Sequence, residues 1–129
     1  MKKLTLILSL VFTVTLSSPS YADWEASVKH PLATSYLDFD RIRKVDGYVY
    51  YWVLGDYLKP ITGMYLSSKI YHQGDCKLFR FKFLSSTFFT QPMGEGIGET
   101  KNLPYKMRDW RYPQPKSHHE YNLQKVCNH

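Results

Sequence analysis

Residues 40–54 read DRIRKVDGYVYYWVL, and two features of this stretch decide how it folds. Asp46-Gly47 tolerates the positive φ angles of a two-residue primed turn, so it divides an Asp40–Val45 segment from an antiparallel partner. That partner, Tyr48–Leu54, is β-branched and aromatic with no polar alternation. Such a composition is expected of a central strand covered on both faces. The hairpin therefore belongs in the middle of a sheet, and its neighbours should pair outward from it.

On the N-terminal side, Trp24–Lys29 reads as a short first strand ended at Pro31, and a second begins near Tyr36 with Leu37, Asp38 and Phe39. On the C-terminal side, Gly55-Asp56 should end the central strand. Pro60 and Gly63 mark a loop, Ser67–His72 a further strand, and Gly74-Asp75 a turn. From Lys77 to Leu84 the pattern alternates: Phe79, Phe81 and Phe83 point one way, Arg80 and Lys82 the other, giving one core face and one wet face. Ser85–Thr90 extends this strand or forms a neighbour. Gly94, Gly96 and Gly98 read as a hairpin tip, because a phosphate-cradling glycine loop needs a following helix and none is visible. Pro113 and Pro115 stop any strand. Ser117 and Glu120 then have capping-box spacing, and Tyr121, Leu123 and Val126 give one apolar side to a helix over Ser117–Cys127.

The chain opens Met1-Lys2-Lys3, continues with a mainly apolar run from Leu4 to Leu16, and reaches small and turn-forming residues at Ser17–Ala22. That order is a secretory signal peptide over residues 1–22, with Ser20 and Ala22 at the small positions and cleavage before Asp23. About 20 apolar residues are required to cross a bilayer, so the run is too short for an anchor and no transmembrane segment is expected in the mature chain. No cysteine follows the run to carry a lipid. Removing 22 of 129 residues leaves 107, one domain over residues 23–129. Export places it in the periplasm, at the cell surface or in the medium.

With 17 basic and 11 acidic residues the chain is formally +6, and losing Lys2 and Lys3 leaves +4. That excess favours protein or other anionic surface ligands by steering. The basic residues are scattered and the protein is exported, which argues against nucleic acid. Cys76 and Cys127 lie in a compartment where disulfides persist, so they are expected to pair with each other. The alternative is a thiolate metal site or catalytic thiol, which lacks a partner at ligand spacing.

No enzymatic constellation stands out, and no cofactor or metal is expected. His118, His119 and Glu120 lack the spacing of a zinc protease and read as an exposed helix start. Asp38, Asp40 and Asp56 lie at strand ends or turns, where aspartate is common. Ser67-Ser68-Lys69 sends adjacent side chains to opposite faces. Of the aromatic residues, Tyr51, Trp52, Phe79, Phe81 and Phe83 are assigned to the core. Trp110 lies between Arg108 and Arg111, near Lys106 and Tyr112. With Arg80 and Lys82 these form the expected partner-binding surface, since tyrosine, tryptophan and arginine anchor interfaces.

Four stretches occur in a telling order: SYLDFDRIRKVDGYVYYW (35–52), SSKIYHQGDCKLFRF (67–81), GEGIGE (94–99) and DWRYPQPKS (109–117), followed by a cysteine near the C-terminus. In this the chain resembles the surface-adhesin protein E-like family of Gram-negative bacteria, over nearly all of the mature sequence. The resemblance implies an α+β fold: an antiparallel β-sheet of about five or six strands with a C-terminal α-helix packed on it, tied by a Cys76–Cys127 disulfide. It also implies a non-enzymatic binding protein, an adhesin that contacts host extracellular-matrix or plasma proteins. The alternative is a periplasmic structural or accessory protein that binds an envelope partner. The chain departs from surface-displayed members in lacking their lipid-bearing cysteine.

Overall fold

The computed structural model describes residues 23–129, so the expected signal peptide lies outside the described residues. The sheet is built around strand β4 (Tyr48–Ile61), which follows the Asp46-Gly47 turn; both turn residues have positive φ, 53° and 84°. On one edge β4 pairs antiparallel with β5 (Tyr65–Asp75). Its other edge is shared by β2 (Ala33–Asp38) and the short β3 (Arg43–Val45). Outward from these lie β1 (Trp24–His30) beside β2, β6 (Arg80–Phe89) beside β5, and β7 (Gly98–Lys101) beside β6. Among the described residues all pairings are antiparallel, and the seven strands form one sheet.

The single α-helix among the described residues, α1 (His118–Cys127), packs on one face. Ser117 is its N-cap, its hydroxyl accepting the Glu120 amide at 3.2 Å as the capping-box spacing requires. The reciprocal bond is displaced by one residue: the Glu120 carboxylate accepts from the Lys116 amide at 3.1 Å. Leu123 and Val126 sink into a core with Leu37, Val49 and Tyr51, all five essentially without solvent exposure. Burying side chains of this size contributes about 1.5–3 kcal/mol each. The helix lies so close to the sheet that a Cβ on Gly74 would come within 2.8 Å of both Leu123 and Val49. Glycine is required there by proximity.

Cys76 and Cys127 are joined, 5.7 Å apart at Cα and 51 residues apart in sequence, which removes the thiolate alternative. Asp75 shapes the turn that presents Cys76. Its carboxylate accepts the Lys77 and Leu78 amides at 3.1 Å each and the Arg80 Nε–H at 3.0 Å. Those contacts, led by the Leu78 amide, hold its pKa below the usual carboxylate value.

Several expectations are corrected. Gly55-Asp56 does not end β4, because Gly55 and Asp56 pair in register with Ser68 and Ser67 and the strand runs on to Ile61. Gly74 and Asp75 end a strand instead of forming the turn, which lies at 76–79. Phe79 is in that turn at φ 54°, so it reaches the core cluster from outside the alternating strand. The central strand is covered on both faces only at its Leu54 end: Val49 and Tyr51 are buried on the helix side and Leu54 on the other, whereas Tyr48, Tyr50 and Trp52, on the same face as Leu54, are half-buried. Trp52 is therefore not a core residue. His118 and His119 are not an exposed pair either. His119 stacks on Phe81 at 4.7 Å, because the first turn of α1 is pressed onto β6.

Candidate functional site

The face of the sheet turned away from α1 is organised in rows set by strand register. One row carries Val45, Tyr48, Asp75 and Arg80 across β3, β4, β5 and β6; the next carries Arg43, Tyr50, Gln73 and Lys82. A third pairs Trp52 with Tyr71. Side chains alternate along each strand, so these rows share one face and place bulky aromatics side by side. Trp52 stacks on Tyr71 with ring centroids 4.7 Å apart, and Tyr50 meets Tyr71 at 6.2 Å.

Trp110 is brought to this face by an isolated bridge at the edge of β6. The Phe81 amide donates to the Arg111 carbonyl at 3.0 Å, and the Arg111 amide donates to the Phe81 carbonyl at 2.9 Å. Trp110, next to the bridge, stacks on Tyr48 at 5.6 Å. The Arg80 guanidinium lies 4.5 Å from the centre of its ring and the Lys82 ammonium 4.7 Å. Each such contact is worth about 0.5–1 kcal/mol at a partly wet site, enough to hold the cations in place without neutralising them. Arg80 also pairs with Asp75. Lys82 and Arg43 form no ion pair among the described residues, so the face carries unbalanced positive charge.

The expected cluster is thus divided. Arg80, Lys82 and Trp110 come together on the open face. Arg111 turns its guanidinium to the helix side, 5.1 Å from the Phe83 ring, and lines a shallow groove with Lys106, Tyr112, His119 and an edge of Trp110. Arg108 closes its own turn by donating to the Leu103 carbonyl at 3.1 Å. Tyr48, Tyr50, Trp52, Tyr71 and Arg43 were not singled out from the sequence as contact residues. Their signal was available in the i, i+2 spacing of Tyr48, Tyr50 and Trp52, masked because Val49, Tyr51 and Val53 between them are equally apolar.

Several of the other polar groups weighed in the sequence have local partners, although the buried Asp38 Oδ1 has none. Asp38 accepts from the Arg41 Nε–H at 2.6 Å, and Asp56 accepts the Met93 amide at 2.9 Å. The Ser67 hydroxyl donates to the Gln91 carbonyl at 2.5 Å, and the Ser68 hydroxyl meets that of Tyr57 at 2.6 Å. Among the described residues no group of three histidine, cysteine or carboxylate side chains is placed to hold a metal ion. No helix there is long and apolar enough to cross a membrane.

A family model described as surface-adhesin protein E matches residues 24–128. By structure the chain is similar to protein E of Haemophilus influenzae. Against its crystal form II the TM-score is 0.62 at 16% identity, over 85% of this chain and 91% of that one. Against protein E from non-typeable Haemophilus influenzae the TM-score is 0.58 at 13% identity, over 86% of this chain and 80% of that one. At these identities the likeness is one of fold. No curated protein matches the sequence.

Proposed function

Because the chain belongs to the surface-adhesin protein E family, we propose that it is an exported, non-enzymatic adhesin that holds host extracellular-matrix or plasma proteins through the open face of its sheet. The observation that carries this reading is the grouping of Trp110 with Arg80 and Lys82 over Tyr48, beside the exposed Arg43. The backbones of Arg43 and Lys82 are three strand spacings apart, roughly 14 Å. An acidic patch on a partner protein meets both cations, while Tyr50, Trp52 and Tyr71 supply the apolar contact that anchors interfaces. The charges set encounter rate and orientation, and the aromatic centre sets residence time.

Binding to immobilised matrix and plasma proteins tests this directly. The double variant Arg43→Glu/Lys82→Glu, folded and with its disulfide intact, is expected to lose at least tenfold in affinity, and wild-type binding is expected to weaken as salt is raised. Unchanged affinity in that variant overturns the assignment of the face. Labelling of intact cells should reach the protein; labelling only after permeabilisation would favour the periplasmic alternative.

A further inference from the structure

On the opposite side of the sheet, a cleft of about 330 Å³ opens between the first turn of α1 and strands β2, β4 and β5. Its apolar wall is Ala33, Val53 and Ile70. Its polar groups include Tyr57, Ser68 and His72 from the sheet and His118, His119 and Asn122 from the helix. No lysine, arginine or carboxylate lines it.

His72 is only 2% exposed. Its Nδ1 lies 3.0 Å from the Ile70 carbonyl oxygen, which accepts only, so Nδ1 carries the hydrogen. Burial holds the pKa of this ring down to about 3, and it is neutral at physiological pH. Nε2 is therefore a hydrogen-bond acceptor, and no described side chain or amide donates to it. Nε2 is not cut off from solvent, so it opens on the cleft, where an entering hydroxyl can donate to it. Asn122, also 2% exposed, accepts the Ser27 hydroxyl at 2.6 Å through Oδ1, which leaves its amide hydrogens to donate. Tyr57 and Ser68 share one hydrogen bond between two hydroxyls, so one hydroxyl hydrogen is left over.

These features select a ligand chemistry. A charged ligand would lose its hydration and find no counter-charge. A hydroxyl both donates and accepts, as an acceptor at His72 beside a donor at Asn122 requires, and the C–H face of a sugar ring suits the Ala33, Val53 and Ile70 wall. The volume is at the low end for ligand pockets, about one monosaccharide. We propose that this cleft is a subsite for a single neutral sugar, the terminal unit of a glycan, with one hydroxyl donating to His72 Nε2 and another accepting from the Asn122 amide. The subsite is independent of the open face, and a glycan bound here gives the adhesin a second mode of attachment.

Amide NMR titration of the oxidised protein tests the proposal, with the methyl glycosides of glucose, galactose, mannose, fucose, N-acetylglucosamine and N-acetylgalactosamine as probes. At least one is expected to bind saturably at about millimolar concentration, with shifts confined to the cleft. His72→Phe, which keeps a ring in a site already lined by phenylalanines, should weaken it tenfold or more. Ala33→Leu should fill the cleft and abolish binding, and Arg43→Glu/Lys82→Glu should leave it unchanged. The proposal is overturned if none of the six binds saturably, or if both cleft variants bind as the wild type does. Matrix-protein binding by the same variants reads out the open face separately.

Discussion

Lowering the pH from 7 to 5 should weaken the docking of α1 onto the sheet, and the effect should be traceable to His72. The ring is enclosed by Tyr51 from β4, Phe81 and Phe83 from β6, and His119 from α1. His119 in turn faces His118 and Arg111, and His118 faces His30 from β1. No carboxylate is among these partners to stabilise an added proton. Desolvation, reinforced by the charge of His119, holds His72 down to about 3; desolvation, then His118 and Arg111, holds His119 down to about 4. In the unfolded chain both titrate near 6.5, so below that pH the unfolded state takes up protons that the folded state refuses, and stability falls as pH falls. At about 1.4 kcal/mol per pH unit, His72 alone removes about 2 kcal/mol between pH 6.5 and pH 5. His119 acts in the same direction. Asp75, whose pKa is lowered, loses its contribution only below the unfolded carboxylate range, and so lies outside this window. Urea unfolding at pH 7 and pH 5, followed by circular dichroism with the disulfide intact, measures the difference. In His72→Phe the loss between the two pH values should shrink by about 2 kcal/mol. If wild type and variant lose the same amount, or neither loses any, the reasoning is wrong.

Three further outcomes follow from the packing. Replacing Cys127 by Ser should destabilise the protein by up to about 4 kcal/mol, the loop-closure value for a 51-residue separation, visible as a lower urea midpoint and increased amide exchange in α1. Gly74→Ala drives a methyl group to 2.8 Å from Leu123 and Val49, and should cost about 1–3 kcal/mol by thermal unfolding, whereas Gly47→Ala, with open space at its Cβ, should lose only the strain of its φ of 84°. Ser117→Ala removes the N-cap and should cost about 1 kcal/mol in the same assay, with Ser117→Gly recovering most of it.

The local signals were legible because they depend on neighbouring residues alone. Asp46-Gly47 marked the central hairpin, since the positive φ angles of its turn suit these residue types. Ser117 and Glu120 marked the start of the helix, and the alternation at Phe81 and Phe83 marked the buried face of β6. Where competing signals overlapped, the reading failed. Gly55-Asp56 looked like a break, but two flanking strands hold the backbone extended through it. Tyr48, Tyr50 and Trp52 looked as buried as Leu54 because aromatic residues suit both a core and a contact surface. Of the residues expected to form one surface, Arg80, Lys82 and Trp110 lie together on the open face, whereas the bridge to Phe81 turns the Arg111 side chain to the other side.

The sequence by itself determined the strand-rich composition, the central turn, the capped tail helix and the pair of cysteines available to join them, because each follows from residue type and short-range spacing. Only the tertiary structure decided which face of the sheet the helix covers, and hence which aromatics stay open to a partner. It also decided that His72 is buried and that His119 is pressed against Phe81. Both outcomes depend on contacts between residues far apart in the chain, Leu123 against Gly74 and His119 against Phe81, and no local pattern encodes the energy of such contacts.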